Sequence, residues 1–187
     1  PIQRRRQGRL ERETNAYQRD LVTTYDAWAV EVIKEVNRAE RDGLTPMQQV
    51  AIVDAMLINL ESDLLILIRR SLVNAATSAV RGPLASQAMI PDILAMMTRR
   101  VEENSTLIRT SLMPDVRRLI ADDIMAGVAK DRVALRASLA RVRYRAAQYA
   151  GGYWVTSFDA QRIAGMADNA DRLAAGLGVI PVKWELD

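Results

Sequence analysis

The sequence predicts a mostly α-helical protein: a long antiparallel helical hairpin, then a smaller helical region that ends in a short β edge. Three observations carry this. Apolar residues recur three and four apart along most of the chain, the period of a helix with one buried face. Glycine or proline at Gly43, Gly82-Pro83, Pro91, Pro114, Gly127 and Gly151-Gly152 marks where elements end or begin. The closing "GLGVIPVKWELD" abandons the helical spacing for a short apolar, proline-containing run. With 187 residues, 49% of them hydrophobic, the chain has material for a core.

Residues 1–12 carry five arginines and one acid, and are expected as a basic flexible arm. Arg4, Arg5, Arg6 and Arg9 are its candidate contact residues. An arginine that neutralises a phosphate releases counterions, so such an arm binds nucleic acid with little sequence preference. It would equally suit an acidic protein surface, and a solvated end without a partner is the third reading.

From about residue 13 to 42, Tyr17, Leu21, Trp28, Val32, Val36 and Ala39 define one amphipathic helix that stops at Gly43. In "TPMQ", Thr45 caps the next helix, Pro46 takes its first position and Gln48 reaches back to the cap nitrogen. That helix runs to about Arg81 and carries Val50, Val53, Leu57, Leu60, Leu64 and Leu67 in the 3-4-3-4-3 order of a coiled-coil seam. The link between the two helices is short. Residues 13–82 therefore fold back as a hairpin roughly 45 Å long, from 1.5 Å per residue over about 30 residues. Its plain use is a structural stalk; the alternative is a face that docks on a partner helix.

After the loop "RGPLASQAMIP", Pro91 opens a helix with Ile93, Met97, Val101, Asn104, Ile108 and Leu112 inward. Pro114 opens a shorter one through Val116, Leu119, Ile120 and Ile124 to Gly127. A buried Asn such as Asn104 ordinarily satisfies a backbone group or fixes register. Asp131 is expected to cap a helix through "RVALRASLARVRYRAAQYA", broken at Gly151-Gly152, and Ser157 to cap the last, with Ile163, Ala167, Ala170 and Leu173 inward.

Composition narrows the chemistry. Without histidine or cysteine the chain cannot build a Ser-His-Asp triad, a thiolate nucleophile or the usual zinc centre. The acid pairs Glu102/Glu103 and Asp122/Asp123 are neighbours that point to different sides of a helix, so they do not converge on a metal. No enzyme activity, metal or cofactor is expected. "GLG" at 176–178 follows a helix and precedes an extended run, the reverse of a dinucleotide-binding loop, and reads as a helix end.

The charge is segregated. Residues 13–98 hold 7 basic against 11 acidic side chains, and 99–145 hold 11 against 6. Arg136, Arg141, Arg143 and Arg145, with Tyr144 and Tyr149 among them, fit either a basic patch with stacking aromatics or a salt-bridged surface helix. No apolar segment follows the arginine-rich start, and "VAIVDAMLINLESDLLILI" contains Asp54, Glu61 and Asp63, so neither a signal peptide nor a membrane span is expected. A soluble intracellular product is the expectation.

The second half, "ENSTLIRTSLMPDVRRLIADDIMAG", then a helix with "RAAQYA", then "AAGLGVIPVKWELD", resembles the phage head morphogenesis family, the minor head proteins of the Mu F type. The matching positions over roughly residues 95–187 are Asn104, Leu107, Ile108, Gly127, Ala147, Ala150, Gly178, Val179 and Trp184. The sequence departs from the pattern at Gly151-Gly152, where the family commonly has Arg followed by Asp or Thr. The family's Asp-x-Arg-x-Arg-x-x-His element would begin at Asp187, so 179–187 looks like the edge of the small β element that holds it. The resemblance implies a minor-head-like helical domain over 91–187. It also implies a structural role in the virion, at or near the portal, in head assembly, DNA packaging or ejection. The implied partners are the portal or other head proteins, present in multiple copies, with non-specific DNA contact as a further option and no membrane. A non-viral helical adaptor, or a nucleic-acid-associated bundle, is the rival reading.

Overall fold

The computed structural model describes residues 2–80, 91–127 and 132–178, with the side chains of 2–6, 132 and 144 left aside. Helices α1 (Ile2–Arg41) and α2 (Pro46–Ala79) come first, followed by α3 (Pro91–Leu107), a π-helical turn (Ile108–Leu112) and α4 (Met113–Met125). Helices α5 (Arg132–Gln148) and α6 (Gly151–Ala174) complete the order. The described residues are mostly helical and contain no strand; the β edge expected at 179–187 and Asp131 both lie outside them.

Helix α1 ends as its sequence requires. Gly43 takes φ +76°, the left-handed conformation glycine adopts without strain, and the Leu44 N–H closes the end on the Ala39 carbonyl at 3.0 Å. Thr45 and Gln48 then form the capping box. The Thr45 N–H donates to Gln48 Oε1 at 2.9 Å, and Thr45 Oγ1 accepts from the Gln48 N–H at 3.4 Å.

Residues 2–12 correct the first expectation: they are the opening of α1, not a flexible arm. Past position 1 the segment has no proline, arginine and glutamine are good helix formers, and Arg9 pairs with Glu13 one turn on at 2.7 Å.

Pro114 lies in the first turn of α4 as expected, but the chain stays helical through it. Proline lacks an N–H and crowds the carbonyl four residues back. The backbone adjusts by a π turn, in which the Met113 N–H reaches the Ile108 carbonyl.

The chain divides into two compact units, Pro1–Ile68 with Glu103–Ala150, and Arg69–Glu102 with Gly151–Asp187. This departs from the expected division into 13–82 and 91–187. A two-helix hairpin alone cannot cover both sides of its seam, and segments from the second half supply the missing layer.

In the first unit, side-chain contacts fix the topology. The Trp28 indole N–H donates to the Met56 carbonyl at 2.9 Å, placing α1 antiparallel to α2 about the turn at 42–45. Arg109 meets Glu61 while Arg117 meets Asp54, so α2 and the 108–125 run are antiparallel too. Tyr149 reaches Leu107, and Arg145 reaches Ser111, which sets α5 antiparallel to that run. The Tyr25 hydroxyl donates to the Leu139 carbonyl at 2.9 Å and returns α5 to α1. The result is an up-down-up-down four-helix bundle. The expected seam is its core from Val53 on: Val53, Leu57, Leu60, Leu64 and Leu67 are buried and Val50 is half-buried, and Tyr17, Leu21, Trp28, Val32, Val36 and Ala39 on α1 are buried too. Ile108, Leu112, Val116, Ile120, Leu135 and Leu139 come in from the other two sides.

The second unit packs small side chains. Ala76 and Val80 of α2, Ile93, Met96 and Met97 of α3, and Ala160 and Ala164 of α6 form its core. The Ser157 hydroxyl donates to the Ala75 carbonyl at 3.2 Å, and Arg100 of α3 pairs with Asp159 of α6 at 2.8 Å. Ser157 therefore lies inside α6 rather than capping it. The buried face is Tyr153, Thr156, Ser157, Ala160 and Ala164; of the expected Ile163, Ala167, Ala170 and Leu173, Ile163 packs against this core while Ala170 is exposed and Leu173 is 60% exposed. Alanine and serine allow the helices to approach closely, and a larger residue has no room. Ala160→Leu is expected to cost about 1–3 kcal/mol in chemical denaturation through overpacking, and a neutral effect would contradict this close approach.

Candidate interaction surface

The arginines of 99–145 are the largest block of positive charge, and the fold places several of them on the acids of the first half. Arg117 pairs with Asp54, Nη2 donating to Oδ2 at 2.9 Å and Nε lying 2.8 Å from Oδ1. Arg109 Nε lies 2.7 Å from Glu61 and Arg143 3.0 Å from Asp26. Arg145 pairs with Asp115 and donates to Ser111, while Arg141 donates to Ser138 Oγ at 3.3 Å. These pairs are half-exposed, worth roughly 0.2–1 kcal/mol each, so their main effect is to match helices by charge.

Of the two readings of Arg136, Arg141, Arg143 and Arg145, the salt-bridged helix therefore describes Arg143 and Arg145 on α5. Tyr149 is drawn in as well, its hydroxyl donating to the Leu107 carbonyl at 3.4 Å. The acids that hold these arginines are Asp26, Asp54 and Glu61, of which the sequence marks Asp54 and Glu61 only as charges that exclude a membrane span. The signal that would have found them is the segregation of charge itself, an acidic first half facing a basic middle.

Arg4, Arg5 and Arg6 lie on the first turns of α1, and Arg9 follows, its side chain 43% exposed while it pairs with Glu13.

The residues that carry the resemblance have structural surroundings. Asn104 is half-buried near the end of α3; Leu107 is 52% exposed and offers its carbonyl to Tyr149; Ile108 is fully buried and opens the π turn. Gly127 ends α4 at φ +72°, where a side chain would strain the backbone. Ala147 and Ala150 are buried, and the Gly178 carbonyl accepts from Arg172 Nε at 3.0 Å. The structure brings Leu107 and Ile108 close to the α5 end but does not gather the set into one pocket; Trp184 and Val179 lie outside the described residues.

Among the described residues, no group of three or more acids is placed to hold a metal ion, and no helix is long and apolar enough to cross a membrane. Comparison with protein-family models, with curated proteins and with solved structures finds no match to this chain.

Proposed function

We propose that the chain is a structural minor head protein of a tailed phage, acting at or beside the portal during head assembly, with residues 179–187 opening a small β element. The order of elements over 95–187 supports the reading. The observation that carries the mechanism is the distribution of positive charge. Arginines of the middle are engaged by Asp26, Asp54, Glu61 and Asp115 within the bundle. The opening of α1 carries five arginines against one acid. A basic helix at one end of a packed bundle suits a polyanion or an acidic channel wall.

Removing residues 1–9 tests it. Loss of co-purification with portal rings, with DNA binding unchanged, is the expected result if the helix meets the portal. If the helix meets duplex DNA instead, binding weakens equally for unrelated sequences, and the log-log salt slope flattens by up to about 0.9 for each phosphate that is no longer neutralised. A deletion that alters neither leaves these arginines without a partner and overturns the assignment.

A further inference from the structure

Helix α2 has a second apolar face. Opposite its buried seam, Met47, Ala51, Ala55, Ile58, Ser62 and Ile66 follow one another at spacings of 4-4-3-4-4, and all are exposed, Met47 at 80%, Ile58 at 70% and Ile66 at 63%. A solvent-facing helix surface is ordinarily polar. The outward face of α1 is mostly charged, with Arg19, Asp20, Glu31, Lys34 and Arg38 exposed, although Val30 is exposed there too. The α2 stripe carries no charge from Met47 to Ile66, over about 28 Å at 1.5 Å per residue. Its spacing is that of an 11-residue repeat, which keeps one face aligned along a nearly straight helix.

We infer that this face docks on the same face of a second copy of the chain, α2 against α2 in parallel, about a two-fold axis that runs along the two helices. The rims of the stripe decide the occupant and the direction. On the α4 side stand Arg109 and Arg117, with side chains 58% and 52% exposed. On the other side stands Asp63, two residues and therefore about 200° around the helix from Glu61. Asp63 is exposed and has no ion pair or hydrogen bond among the described residues.

A two-fold axis along the helices lays each rim over the opposite rim of the second copy at the same height. Arg109 sits at the level of Glu61, so Asp63 meets Arg109 of the second copy, and the pairing repeats on the other side. Antiparallel pairing would instead set acid over acid and arginine over arginine. Ala51, Ala55 and Ser62 leave gaps between the large residues and allow the backbones to approach. One helix face against another buries only a few hundred square ångströms per copy, below the roughly 800 Å² of a standard interface, so association is weak and concentration-dependent. This inference does not depend on the portal reading.

The chain has no cysteine, so single cysteines report the geometry cleanly. Ala51→Cys and Ser62→Cys, each alone in the full chain, are oxidised at high protein concentration beside an exposed control, Thr23→Cys on α1. In the parallel pair every stripe residue faces its own counterpart within disulfide reach, so both stripe variants are expected to cross-link to dimer faster than the control. Sites 51 and 62 are about 16 Å apart along α2, so an antiparallel pair would link at most one of them to itself. Cross-linking at only one site, or at neither above the control, overturns the inference. Adding Ile58→Glu, at an exposed position that folding does not need, is expected to weaken association at least about tenfold by placing an unpaired carboxylate in the interface. Undiminished cross-linking in that variant would overturn it as well.

Discussion

Replacing Leu60 with alanine is expected to lower the unfolding free energy by about 2–4 kcal/mol. Leu60 has no exposed surface and lies at the middle of the α2 seam, between Leu57 and Leu64. Three other helical segments surround that seam in the bundle, and each is tied to its neighbour by side-chain contacts such as Trp28 to Met56 and Arg117 to Asp54. A helix pinned in this way cannot collapse into the space the side chain leaves, so the loss of transfer free energy is joined by a cavity. Chemical denaturation measures it. A loss below about 0.5 kcal/mol, the range of an ordinary surface substitution, would mean that this face is not the core.

Alkaline pH is expected to destabilise the bundle steeply. Tyr17 and Tyr25 are 3% and 1% exposed, and burial holds both phenols well above their ordinary value of 10.0, with the charge of Asp26 adding to the rise at Tyr25. A buried phenolate is costly, so the folded chain keeps both protons where the unfolded chain releases them. The stabilisation is whole below the unfolded value near 10.0 and is lost as pH rises above it towards the folded values. The slope is about 1.4 kcal/mol per pH unit for each tyrosine, and about twice that for the two together. Denaturation midpoints followed from pH 9 to about 11 test this, with Tyr17→Phe and Tyr25→Phe each removing its share of the slope. Parallel profiles for the wild type and both variants would contradict the assignment.

The hairpin was legible because its signals are local and agree with one another: large apolar residues at helical spacing, Thr45-Pro46 with Gln48 to open α2, and Gly43 to close α1. What could not be read locally was missed. The helix through Arg4 to Arg9 was hidden by a net charge that reads as an arm, although only Gly8 there disfavours a helix. On α6, burial follows Ala160, Ala164 and Ser157, whose small side chains leave no apolar stripe to recognise, so Leu173 was placed inward and is exposed. The division into two units depends on how segments far apart in the chain pack, which periodicity does not encode. The candidate surface was half legible. The basic start and the basic middle were both visible in the sequence, but which middle arginines are taken up by Asp26, Asp54 and Glu61 shows only in the fold.

The most direct test of the proposed minor-head role is quantitative mass spectrometry of proheads and mature heads purified from the source of this chain after phage induction. The expected result is that peptides from the chain co-purify with the portal in a fixed ratio, in several copies per particle, in proheads at the least. Absence of the chain from both proheads and mature heads, under conditions where the portal is recovered in full, would contradict the assignment.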